Sequence, residues 1–265
     1  SLKRVRPHII PNCEDFDAPV LRDSYNGDLR EELGFRTDDI LMVQPTRIVP
    51  RKRIEDSVAL VGAFQQRYPE LANRVHYVIS LYQGDEPEEN YIDLIYRRAD
   101  ELGVQVHLIS DRVAAVRGRD EEGRKLYTNR DVLANADIVT YLPIWEGFGN
   151  ALLEAVAAKV PVVTTTYLVY KTDIMPTGLR NIEVRDHYDG EGRLVIDDRV
   201  LEEIYDILHN REAREELVER NFEIGRREFD FHSLTDRLAE VFEHYSDEIR
   251  ASRKRIRKSL ARYSV

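Results

Sequence analysis

The chain has 265 residues, 42% of them hydrophobic and 33% charged, which is enough apolar content for a sizeable core and too much for a disordered chain. Its net charge of −10 argues against a general nucleic-acid binder, which needs a basic face to replace the counterions on phosphates. One cysteine, Cys13, excludes an internal disulfide and a zinc site and fits a reducing cytoplasm, and no apolar run reaches the roughly 20 residues of a membrane span.

The head, "RPHIIPNCEDFDAP", carries prolines at 7, 11 and 19 and reads as an extended connector. Apolar runs with strand character follow at 40–46, 75–82, 104–110, 137–143 and 160–166. Between them lie amphipathic stretches. In "RIEDSVALVGAFQQRY", Ile54, Val58, Val61 and Phe64 fall on one helical face. In "NYIDLIYRRADELG", Ile92, Ile95, Tyr96 and Ala99 do the same, and Gly103 stands where a helix stops. Continuous apolar strands alternating with helices predict a parallel sheet covered on both faces. Five such units make an α/β, Rossmann-like, doubly wound sheet, whose ligands bind at the carboxyl ends of the strands. The loops after residues 46, 82, 110, 143 and 166 are therefore where function is expected.

From about residue 197 the pattern is helical, through "RVLEEIYDILHN", "REAREELVERNFEIGRREF" and "SLTDRLAEVFEHYSDEIR". The chain divides into a connector over 1–38, an α/β domain over 39–228 and C-terminal helices over 229–265. The last stretch holds seven Lys/Arg between Arg250 and Arg262 and no acid. A solvated helix end explains this most simply; peripheral contact with an anionic membrane surface is the sharper alternative.

Two loops carry the chemistry. "PTRIVPRKRIED" places Arg47 and Lys52, with Arg51 and Arg53 beside them, between a strand end and a helix start. Cations there, next to helix amides, suit a phosphate group; surface decoration is the alternative. "DIVTYLPIWEGFGNALLEAVAAK" joins a strand to a helix through Gly147 and Gly149. The amides of Gly147, Phe148, Gly149 and Asn150 would form a helix N-terminus suited to an anion or polar ligand. Glu146 and Glu154 can then face one cleft, and a carboxylate accepts two hydrogen bonds from a vicinal diol. Favourable placement of acids in a helix's first turn is the plainer account.

Taken together, "TRIVPRK … DIVTYLPIWEGFGNALLEAVAAKVPVVTT" resembles the donor-binding domain of family-4 retaining glycosyltransferases of the GT-B fold. The pattern is an arginine, four residues, a lysine, and later two glutamates with seven residues between: Arg47, Lys52, Glu146 and Glu154. "IIPNCEDFD" is similar to the segment that closes the family's amino-terminal domain. The resemblance implies that Arg47 and Lys52 hold a nucleotide-sugar diphosphate and stabilise the leaving nucleoside diphosphate. It implies Glu154 on the ribose and Glu146 by the transferred sugar, with the amides of Phe148, Gly149 and Asn150 orienting it. Asp111, Arg112 and Val113, after the third strand, are candidates for the base. The donor would be a UDP- or GDP-sugar, with no metal and no other cofactor, and the acceptor would sit on an amino-terminal domain lying before this chain. The chain by itself is then expected to bind donor without transferring it. A nucleotide-sugar-binding module, or one subunit of a split enzyme, is the alternative.

Departures are visible. "TYLVYKTDI", with Lys171 and Asp173, stands where relatives carry a glycine pair, and Cys13 stands where glycine is common. Residues 117–132 are longer than the usual connection, with "NRD" predicted to open a short helix. His8, His107 and His232 have settings that fit structural roles. A dehydrogenase lacks support, since Leu152 stands where its fingerprint needs a small residue. "DFD" at 15–17, as a metal site of another transferase fold, lies in a proline-flanked connector. A glycoside hydrolase needs carboxylates opposed across its substrate rather than on one loop and its helix.

Overall fold

The computed structural model describes residues 8–18, 20–82, 90–185 and 188–260. Its strands are β1 (Ile40–Gln44), β2 (Val75–Ile79), β3 (Val106–Leu108), β4 (Gly118–Arg119), β5 (Lys125–Leu126), β6 (Ile138–Tyr141), β7 (Val162–Thr165) and β8 (Ile182–Val184). The helices are α1 (Leu29–Glu32), α2 (Ile54–Arg67), α3 (Tyr91–Leu102), α4 (Asn129–Ala134), α5 (Asn150–Ala157), α6 (Asp198–His209), α7 (Arg211–Phe229), α8 (Phe231–His244) and α9 (Ser246–Leu260).

Six strands form one sheet in the order β3-β2-β1-β6-β7-β8. Every pairing in it is parallel, with Val43 opposite Val78 on one side and Val139 on the other. The five expected strands are all present, each shorter than its apolar run. A sixth, β8, was not anticipated: it is three residues long with Glu183 at its centre, too short and too polar to register as an apolar run.

Strand side chains alternate between faces, so β1 serves two cores. Ile40 and Met42 join Ile54, Val58, Val61 and Phe64 of α2 and Val200, Leu201 and Ile204 of α6. Leu41 and Val43 join Leu152, Ala155 and Val156 of α5 and Phe229 of α7. Helix α2 buries the face read from its spacing. In α3 the inward aromatic is Tyr91 rather than Tyr96, which is 38% exposed. Tyr91 donates to Glu55 and accepts from the Ile54 amide, which ties the start of α3 to the start of α2. Gly103 ends α3 with a left-handed φ of 69°, as its position predicted.

The connector is docked. Phe16 is 3% exposed and packs in the α5 core, and the Glu14 amide donates to the Phe229 carbonyl over 2.9 Å. Residues 117–132 form the β4–β5 hairpin and lead into α4. That helix starts at Asn129, held by a capping box in which Thr128 and Asp131 bond each other's backbone amides. "SLTDRLAEVFEHYSDEIR" is two helices, α8 and α9, separated at Tyr245, rather than one continuous stretch. The basic run lies on α9 up to Leu260; its last arginine, Arg262, is outside the described residues. Among the described residues no helix is long and apolar enough to cross a membrane.

Candidate active site

Strands β1 and β6 are neighbours, and the chain leaves them in opposite directions along the sheet. A crevice opens at the carboxyl ends of such a pair. The loops leaving β1 and β6 are tied there, the Ile144 amide donating to the Arg51 carbonyl over 3.1 Å. The β1 loop closes in a 3-10 turn, Pro50–Lys52, and Arg53 takes a left-handed φ of 49° before α2 starts.

This turn drives Lys52 inward, to 9% exposure. Its Nζ donates to Glu146 Oε1, the same oxygen that accepts from Arg51 Nη1 over 2.6 Å. Burial lowers the Lys52 pKa, and Arg51 and Arg47 push the same way, while Glu146 opposes them. The ammonium sits 5.1 Å from the Tyr141 ring, and the Arg51 guanidinium 5.4 Å from Trp145. Arg47 lies at the exposed start of the loop. The structure thus brings Lys52 and Glu146 into contact and adds Arg51 as a second cation on the carboxylate.

The "EGFGN" turn is built on Gly149, whose φ of +129° disfavours any side chain. An added Cβ would overlap the Tyr167 hydroxyl, which donates to the Phe148 carbonyl over 2.8 Å. Phe148 is 7% exposed and meets Phe229 edge-on. The Asn150 side chain accepts from Asn12 of the connector over 2.7 Å. Beyond Tyr167, residues Tyr170–Ile174 make a π-helical turn, so "YKTDI" is a folded element carrying Lys171 on its exposed side and Asp173 partly exposed.

Glu154, on α5, lines a cavity of about 540 Å³ together with Glu14, Ser80, Tyr82, Ser110, Val113 and Asn129. Burial, then the Glu14 carboxylate, pushes the Glu154 pKa up to about 7; Asn129, Arg130 and Lys52 act against the rise. Of the three base candidates, Val113 lines this cavity. The Asp111 carboxylate pairs with Arg124 at 3.1 Å. The Arg112 guanidinium pairs with Glu32 at 3.1 Å and donates to the Lys125 carbonyl over 2.9 Å, bracing the hairpin.

Ser80, Asn129 and Glu14 are cavity residues that the sequence reading did not single out. A serine at the end of an apolar strand is a faint signal for Ser80, and the connector motif contained Glu14 without a role for it. Asp15 of "DFD" accepts from the amides of Asp17 and Ala18, so it serves a turn. His107 meets His76, ring nitrogen to ring nitrogen, over 3.1 Å. The His8 ring meets that of His244 at a tilt of 58°, and His232 lies 3.3 Å from Asp17.

Sheet order and site position define the fold as one Rossmann-like half of a GT-B glycosyltransferase. A family model described as "Glycosyl transferases group 1" matches residues 26–174, and the chain belongs to that family. It is 36% identical over 244 residues to the mannosylglucosylglycerate synthase of Thermotoga maritima, covering 87% of this chain and 55% of that protein. The chain therefore spans about half the length of the curated relatives it matches. Among solved structures it resembles Anabaena Alr3699/HepE in complex with UDP, with a TM-score of 0.66 at 16% identity, over 89% of this chain and 57% of that one. It also resembles the C-terminal domain of the group 1 glycosyl transferase LpcC from Francisella tularensis, with a TM-score of 0.57 at 13% identity, over 82% of this chain and 99% of that one.

Proposed function

We propose that the chain binds the nucleotide-sugar donor, a UDP- or GDP-sugar, of a retaining hexosyltransferase whose acceptor is held by a further domain. The observation that carries this reading is the buried Lys52–Glu146 pair, with Arg51 on the same carboxylate, beside a cavity lined by Glu154 at the carboxyl end of the sheet. The cavity, lined by Ser110, Val113 and Glu154 among others, is large enough for a nucleoside. Glu154 accepts the ribose hydroxyls.

Lys52 and Arg47 meet the diphosphate as the sugar–phosphate bond breaks and negative charge gathers on the leaving group. Lys52 is already desolvated, so its charge acts with little screening. Glu146 positions Lys52 and lies beside the transferred sugar, and the amides of Phe148, Gly149 and Asn150 orient that sugar. These charges do the work a metal would otherwise supply. The UDP complexes of the Anabaena protein support a nucleotide ligand, and the name of the Thermotoga relative makes a mannosylglucosylglycerate the first product to test for.

Calorimetric titration with UDP- and GDP-sugars tests the reading. One series should release heat, and Glu154→Ala should weaken it. Silence with every nucleotide, or equal binding by the variant, removes the donor assignment. Sugar transfer by this chain alone would refute the need for a further domain.

A further inference from the structure

Glu154 is held from one side. Asn129, the first residue of α4, donates from Nδ2 to Glu154 Oε2 over 3.1 Å. Its own Oδ1 accepts from Ser80 Oγ over 2.7 Å. These two contacts select one orientation of the amide, because the reverse would set a carbonyl oxygen against the carboxylate. Ser80 is fully buried at the end of β2, and the Thr128–Asp131 capping box fixes the first turn of α4. A chain of hydrogen bonds therefore runs from β2 through α4 to α5.

The charges around Glu154 do not favour its ionised form equally. Glu14 of the connector repels it, whereas Arg130 of α4 and Lys52 of the β1 loop attract it. Asn129 is the neutral group that donates to it directly. A protonated carboxyl gives one oxygen over to its own O–H and is the weaker acceptor, so it receives the two hydroxyls of a diol less well than a carboxylate, whose two oxygens both accept.

We propose that Asn129, anchored by Ser80, is a positioning residue of the ribose site, holding the Glu154 carboxylate oriented toward the cavity and favouring its charged form, so that both diol hydroxyls find an acceptor. The proposal rests on the assignment of Glu154 to the ribose. It assigns a role to α4, which packs beside the cavity and belongs to neither motif loop.

Two measurements test it on the full chain. In the nucleotide-free protein, the carboxyl carbon signal of Glu154 is titrated in wild type, Asn129→Ala and Ser80→Ala. Loss of the donated hydrogen bond should move the midpoint upward in Asn129→Ala and by less in Ser80→Ala. Calorimetry then compares UDP and GDP with their 2′,3′-dideoxy counterparts. For whichever ribonucleotide binds, Asn129→Ala should weaken affinity about tenfold near pH 7, the size of one charge-assisted hydrogen bond, and by less at higher pH. Affinity for the dideoxy form should hardly change. An unmoved Glu154 midpoint, or equal weakening of ribo and dideoxy nucleotides by Asn129→Ala, overturns the proposal. If wild type and Glu154→Ala both bind the two nucleotide forms equally, the ribose assignment itself fails, whatever the midpoint does.

Discussion

Lys52 and Glu146 stand 94 residues apart in the chain and share one buried ion pair, with Arg51 on the same carboxylate oxygen. Because two cations converge on one oxygen, the cluster keeps surplus positive charge beside the crevice. Lys52→Met should weaken a nucleoside diphosphate tenfold to a hundredfold, on the order of 1.5–3 kcal/mol, while sparing the plain nucleoside. Arg47→Ala should act in the same direction and reduce the salt dependence of binding. Isothermal titration of UDP against uridine, and GDP against guanosine, reads both; equal losses for diphosphate and nucleoside would remove Lys52 from the phosphate site.

Gly149→Ala should be costly for two separate reasons, its backbone conformation and the Tyr167 hydroxyl. Together these predict a loss of about 2–4 kcal/mol in urea unfolding, against a small change for Gly147→Ala, where an added Cβ meets no atom within 4 Å. In a Tyr167→Phe background the steric part should shrink and the conformational part remain. Full additivity of the two substitutions would separate Tyr167 from the cost.

The Glu154 carboxyl has a folded-state pKa of about 7 against an ordinary 4.5. Its ionisation therefore costs stability: the penalty is absent below about pH 4.5, develops as pH rises towards 7, and persists above. Glu154→Gln should remove that slope and raise stability above neutral pH by at most about 3 kcal/mol, checked by denaturant unfolding across pH. A nucleotide that hydrogen-bonds to the carboxylate should lower the same pKa, so its binding should release part of a proton near pH 7, visible as buffer-dependent heat.

Phe35, His76 and His107 form a three-ring cluster in which each ring meets the other two, and His76 lies 3.2 Å from Asp39. Burial, then the neighbouring His76, lowers the His107 pKa below the ordinary 6.5, with Asp39 opposing. The folded state thus resists protonation, so stability should be fully present above pH 6.5 and decline as the pH falls below that value. His107→Gln should flatten this acid limb in a thermal-unfolding series. A limb of unchanged slope would assign it to the carboxylates instead.

The sequence by itself determined the parallel α/β architecture of five of the six strands and pointed to the two loops that the fold brings together. The continuous apolar run of β1, buried at all five positions, and the helical stripe of Ile54, Val58, Val61 and Phe64 are local patterns, set by side-chain direction within one element. The same holds for the glycine turn and the helix stop at Gly103. Only the tertiary structure decided what those loops meet. That Glu146 takes Arg51 as well as Lys52 depends on β1 and β6 being neighbours and on the inward 3-10 turn at Pro50–Lys52. That Asn129 and Ser80 support Glu154 depends on three elements converging, with no spacing in the chain to announce it. The strand β8 was hidden for a related reason: three residues with a glutamate between two apolar ones become a strand through pairing with β7. Periodicity records how an element faces its own core, whereas a site is made by contacts between elements, and the sheet order supplies those.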